Sequence, residues 1–168
     1  MANIKVRLDV IEFLIYFWET VSQKEKVADR FFHELADNPD MQFIYDDEFT
    51  KESVVKVLSA ITNRELLNSP TKKESRFWSQ NMRMIEDLDA MRTMVYPVKT
   101  LNMDHMKDKL QKDVEVVFLP DTMEEYRITG NTLVVNFFRI MPSMEGDGTV
   151  KIEGMDLVDY LDKKVLEI

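Results

Sequence analysis

The spacing of apolar and polar positions changes once along the chain, near Lys112. Before that point it is helical, and after it the positions alternate. Residues 4–22 open on Ile4, Val6, Leu8 and Val10, an alternation that suits a strand. Val10, Phe13, Leu14, Phe17 and Val21 then recur at helical spacing, with Ile11, Ile15 and Trp18 on the other side. A helix apolar nearly all round is buried on most sides or pairs with another chain. Ser22-Gln23-Lys24-Glu25 fits a capping box that opens a second helix with Val27, Phe31 and Leu35 inward. Asp37-Asn38-Pro39 stops that helix, and Asn38 caps a short turn beginning at Pro39. Thr50 caps a third helix, in which Val54, Val57, Leu58 and Ile61 fill the i, i+3, i+4, i+7 positions. Thr71-Lys72-Lys73-Glu74 is a second capping box. The helix it opens is predicted to run to Tyr96, just before Pro97, roughly 26 residues or about 39 Å. Asn102 caps a further short helix through Leu110.

After Lys112, Val114, Val116 and Phe118 alternate with Glu115 and Val117 and end at Pro120. Residues 126–129 and 132–140 flank Gly130-Asn131, the signal of a type II′ hairpin. Residues 149–153 alternate and form a further strand. Asp156 caps a last helix with Leu157, Leu161 and Val165 inward. The pattern predicts an α+β fold. A bundle of four to five helices (about residues 1–112) packs with a small C-terminal antiparallel sheet of three to four strands and a final short helix (about 113–168). Both parts belong to one domain, because a separate unit of about 56 residues would have little core of its own.

Composition narrows the chemistry. The chain has 168 residues and no cysteine, which excludes thiolate nucleophiles, disulfides, iron–sulfur clusters and cysteine zinc sites. Only His33 and His105 are available, so a three-histidine zinc site cannot form in one chain. Neither of the glycine-rich phosphate loops, Gly-x-Gly-x-x-Gly or Gly-x-x-x-x-Gly-Lys, occurs, and there is no Gly-x-Ser-x-Gly elbow. No metal and no cofactor are therefore expected. The longest apolar run, Val10 to Trp18, is nine residues with one acid, against the roughly 20 that a membrane helix needs. No secretory signal follows it, and a cytoplasmic protein is expected.

With 22 Lys and Arg against 31 Asp and Glu, the net charge is −9, which disfavours direct nucleic-acid binding. The segment Glu34–Glu52 holds seven acids and one lysine, and Asp46-Asp47-Glu48 is its densest point. This is a solvated acidic face, or an interaction surface for a basic protein partner. Between Arg64 and Arg83 the balance reverses, with five basic and two acidic residues. Lys72, Lys73 and Arg76 fall in the first turns of the long helix, where a phosphate or carboxylate could bind, and Trp78 could stack on a ring.

Six methionines lie between Met82 and Met106. Met82 and Met94, with Trp78, broaden the apolar stripe of the long helix into a face suited to homodimerisation. Residues 145–150 resemble the centre of a calcium loop, but Ser143 and Gly154 occupy its first and last ligand positions, so an acidic turn is expected. Pro120-Asp121 followed by Glu125-Tyr126-Arg127 echoes a metal-dependent nuclease pattern, but the spacing is that of a polar connection. The leading expectation is a non-catalytic protein–protein interaction or regulatory module. The alternative is a small-molecule or phosphate-ligand-binding protein, or an enzyme, using the basic helix start around Lys72–Arg76. Mimicry of nucleic-acid charge is a third reading.

Overall fold

A computed structural model describes residues 2–168. The elements in order are β1 (Ile4–Arg7), α1 (Asp9–Ser22), α2 (Asp29–Ala36), a 3₁₀ turn at Pro39–Phe43, α3 (Lys51–Asn63), α4 (Lys72–Glu86) and α5 (Leu88–Lys99). A second 3₁₀ turn at Asp104–Lys109 leads into β2 (Val114–Leu119), β3 (Tyr126–Thr129), β4 (Thr132–Asn136), β5 (Ile140–Pro142), β6 (Val150–Ile152), β7 (Met155–Asp156) and α6 (Leu157–Val165). The fold is α+β, with the helices N-terminal and the strands and last short helix C-terminal.

The strands form two sheets, a four-stranded one in the order β1-β2-β4-β3 and a three-stranded one in the order β5-β6-β7. The smaller sheet is antiparallel, as expected. The larger one is mixed, because β1 and β4 both run parallel to β2 and only the β3–β4 hairpin is antiparallel. The alternation at Ile4–Arg7 is a true strand whose partner lies far along the chain, Ile4 pairing with Val114. A parallel partner requires a long crossover, and here the whole helical part supplies it. Gly130 turns the hairpin at φ +59, and Asn131 keeps a negative φ, as the Gly-Asn signal requires.

Both predicted caps at Thr50 and Thr71 form, with reciprocal capping boxes to Ser53 and Glu74. Three expectations are corrected. The box at Ser22 does not form. Instead α1 runs through Ser22 and closes in a Schellman turn. Lys24 is left-handed at φ 64, the Glu25 amide donates to the Thr20 carbonyl at 3.2 Å, and the Lys24 amide donates to Val21 at 2.9 Å. Glu25 is consumed by that turn, and α2 starts at Asp29 behind Ala28, without a side-chain cap. The long helix breaks at Asp87, whose carboxylate accepts from the Ala90 amide at 3.1 Å and so ends α4 and caps α5. Pro97 is then tolerated in the last turn of α5, which continues to Lys99.

The third correction concerns the methionine stripe. α1 lies at the centre of the molecule against α4, α5 and β2, and Val10, Ile11, Leu14, Phe17 and Trp18 are all buried. Its own chain supplies the cover that an apolar helix demands. The Trp18 indole donates to Asn81 Oδ1 at 2.8 Å and stacks on Phe137. In the same core Met94 is 3% exposed and Met82 is half-buried. Met94 therefore offers nothing to a dimer face, because it lies on the buried side of α5 with Met91, Val95 and Val98.

Candidate functional site

The richest convergence of polar side chains lies at the carboxyl ends of the parallel strands β2 and β4. Strand β2 runs out into Pro120 and Asp121, and the Asp121 carboxylate is buried at 1% exposure. It accepts from the amides of Met123 at 3.1 Å and Glu124 at 3.3 Å, which fixes the turn after the strand. The same carboxylate takes a two-pronged ion pair from Arg127, at 2.8 and 3.3 Å. At the end of β4, Asn136 donates to the Glu124 carbonyl at 2.9 Å and accepts from the Phe138 amide at 2.9 Å. Arg139 reaches the Met123 carbonyl at 3.1 Å and pairs with Glu153 at 2.9 Å. The Tyr160 hydroxyl donates to Glu125 at 2.6 Å; burial and this carboxylate push the phenol upward.

The turn around residues 46–49 approaches this rim from the helical part. Asp46 accepts from the amides of Glu48 at 2.9 Å and Phe49 at 3.0 Å, and its carboxylate pairs with Lys73. Burial would raise its pKa, but Lys73 and the two amides outweigh that and hold it below its ordinary value. The Arg127 guanidinium is held above its ordinary value by its hydrogen bonds to Asp121, against the opposing effect of burial, with Glu124 and Asp46 adding to the pull. Asp46 and Arg127, far apart in sequence, thus share one electrostatic environment. The Thr71 hydroxyl donates to the Glu48 carbonyl at 2.6 Å and clips the start of α4 to the same turn. Behind it, the buried Glu74 carboxylate collects Ser53 Oγ at 2.6 Å, Lys56 Nζ at 2.9 Å and the Thr71 amide at 3.0 Å.

The structure brings together two candidates that the sequence treats separately, the basic helix start and the acidic cluster, through Lys73 and Asp46. Lys72 and Arg76 are exposed and have no ion-pair partner among the described residues, and Trp78 is 36% exposed beside them. Of the seven acids from Glu34 to Glu52, four are paired: Glu34 with Arg30, Asp37 with Lys51, Asp40 with Arg7 and Asp46 with Lys73. Asp47, Glu48 and Glu52 face solvent. In the turn at 143–149 one of the two acids is spent on the turn itself, since Asp147 accepts from the Thr149 amide at 3.0 Å and hydroxyl at 2.6 Å. His105 pairs with Asp162 at 2.8 Å. His33 lines a groove of about 430 Å³ between α2 and α3.

Among the described residues no group of three or more His, Asp or Glu side chains is placed to hold a metal ion, and no helix is long and apolar enough to cross a membrane. The Asp121–Arg127 pair was visible in sequence only as the nuclease echo. An acid directly after a strand-ending proline is the signal that points to it. The burial of Glu74 has no signal beyond its capping box. No protein family, curated protein or solved structure matches this chain.

Proposed function

We propose that the protein is a non-catalytic interaction module that presents an acidic rim to a basic protein partner. One observation carries this reading. The paired charges around the rim, Asp46 with Lys73 at the turn before α3 and Asp121 with Arg127 at the strand end, neutralise one another and leave Asp47, Glu48 and Glu124 outward. A carboxylate locked to an arginine is a poor general base, and a lysine locked to an aspartate is a poor anion ligand. The same groups make the loops that carry the rim rigid, and a rigid acidic surface steers and orients a basic partner at low entropic cost. The phosphate-ligand reading is weaker, because the capping box occupies the start of α4 and Lys73 is already engaged.

The test is a cross-linking search in native lysate, followed by reconstitution with the purified partner. Asp47→Lys with Glu48→Lys should slow association severalfold at low salt and leave dissociation nearly unchanged. An association rate that does not move at low salt overturns the proposal. For the ligand reading, a phosphorylated metabolite would have to raise the melting temperature of wild type and not of the Lys72→Ala, Arg76→Ala variant.

A further inference from the structure

The face made by α1 and α5 carries a pattern that the interaction reading above does not use. Glu12, Tyr16 and Glu19 sit at i, i+4 and i+7 on α1, and Arg92, Tyr96 and Lys99 sit at the same spacing on α5. Each set shares one helix face. One row is acid–tyrosine–acid and the other base–tyrosine–base. The two rows are neighbours at their charged positions: Arg92 reaches Glu19 at 3.9 Å, and Lys99 lines a groove of about 410 Å³ with Glu12, Tyr16 and Glu19, while Tyr96 also borders a second groove toward Thr149 and Leu157. Tyr16 is 57% exposed and Tyr96 is 69% exposed, among the most exposed large apolar side chains of the helical part. Tyr16 leans on Phe31, with ring centroids 5.3 Å apart, so it is held in place while it stays open to solvent. Glu12 and Lys99 have no ion-pair partner among the described residues.

The geometry points to a second copy of this chain as the occupant of this face. A two-fold interface must be self-complementary, with one patch serving both sides. An axis in the interface plane, running along the groove between the two helices, sets α1 of each copy over α5 of the other. Every acid then meets a base, and tyrosine meets tyrosine. Both rows read the same in either direction, so the match holds whichever way the helices run. Tyrosine suits such a centre, because it buries a large ring with few rotatable bonds and keeps its hydroxyl hydrated. The two helices, about 21 and 18 Å long, give a contact of the small, reversible size class. The dimer is therefore concentration-dependent. It does not depend on the acidic rim and stands or falls separately from the function proposed above.

The test is sedimentation and light scattering of the full chain from about 5 µM to about 1 mM, a span that brackets weak interfaces of this size. Wild type should move from chain mass toward twice that mass. Tyr96→Glu, at the more exposed tyrosine, should stay folded by circular dichroism and lose at least tenfold in self-affinity. Two charge variants make the test specific. Glu12→Lys with Glu19→Lys makes both rows basic, and Arg92→Glu with Lys99→Glu makes both acidic. Each alone should be monomeric, and an equal mixture should form a one-to-one heterodimer that salt dissociates. Wild type monomeric at the highest concentration overturns the proposal. So does either variant dimerising as wild type does, or a mixture that fails to pair.

Discussion

The buried carboxylate of Glu74 joins α3 to α4, and its removal provides a quantitative check on the packing of the helical part. Oε1 accepts from the Thr71 amide at 3.0 Å and from Lys56 at 2.9 Å, and Oε2 accepts from the Ser53 hydroxyl at 2.6 Å. Glu74→Ala leaves the buried Ser53 hydroxyl without its acceptor, which costs about 1–3 kcal/mol. It also removes half of the capping box at Thr71, worth about 0.5–1 kcal/mol. Lys56 is 37% exposed at its side chain and turns to water, so its loss adds little. The total is about 3 kcal/mol, or roughly 10 °C in melting temperature for a chain of this size.

The pH dependence follows from the same contacts. Burial alone would raise the pKa of Glu74, but the Ser53 hydroxyl, the Thr71 amide and Lys56 together lower it. A carboxylate lowered in the fold contributes stability above its unfolded value, and that stability is lost as pH falls through the folded value. Wild type should therefore lose this increment below about pH 5. Glu74→Gln should cost less at pH 7 and should not lose the increment on acidification. Urea unfolding at neutral and acid pH, at constant m, measures both effects. A loss under about 1 kcal/mol for Glu74→Ala, or an acid profile for Glu74→Gln that matches wild type, refutes the reasoning.

Asp121→Ala should cost about 3 kcal/mol, because Arg127 and two amides lose a buried partner, and proteolysis should then cut first between residues 121 and 126. Asn81→Ala should cost about 2 kcal/mol by leaving the Trp18 indole N–H buried without an acceptor, and tryptophan fluorescence on unfolding measures it. Lys24→Gly and Arg64→Gly should each stabilise by about 0.5–1 kcal/mol, since both side chains sit at left-handed positions, φ 64 and φ 56, that close helix ends; a lower denaturation midpoint for both would show the strain argument to be wrong.

Where local chemistry decides, the sequence was a reliable guide. Thr50, Thr71, Gly130 and the Val54-Val57-Leu58-Ile61 stripe all do in the structure what their spacing implies. It was a poor guide where a local signal competes with another. Ser22 and Glu25 satisfy the letter of a capping box, but the Glu25 amide is worth more closing α1 on Thr20. Asp87 interrupts an apolar stripe that continues on both sides of it, so periodicity alone runs straight through the break. The parallel partner of β1 lies about 110 positions away, and alternation says nothing about pairing at that distance. Around the strand ends the Asp121–Arg127 pair showed in the sequence only as a short polar connection, and Lys73–Asp46 did not show at all, because it depends on the relative placement of whole elements.

That placement changes what the net charge of −9 means. Taken as a run, the seven acids from Glu34 to Glu52 suggest one broad negative face. In the fold four of them are cancelled by Arg30, Lys51, Arg7 and Lys73, and Arg7 also takes Glu115 of the neighbouring strand at 2.6 Å. Arg7 closes β1 against both the 3₁₀ turn and β2, so the charge that joins the N-terminal strand to the sheet is the one that removes Asp40 from the surface. The acids of that run left outward and unpaired are Asp47 and Glu48 at one turn and Glu52 on α3, and Glu124 joins the first two at the rim. Exposed charges separated by more than about 10 Å are screened from one another at ordinary salt. A partner therefore responds to these few positions and not to the total, which is why reversing two residues of thirty-one acids is expected to change an association rate.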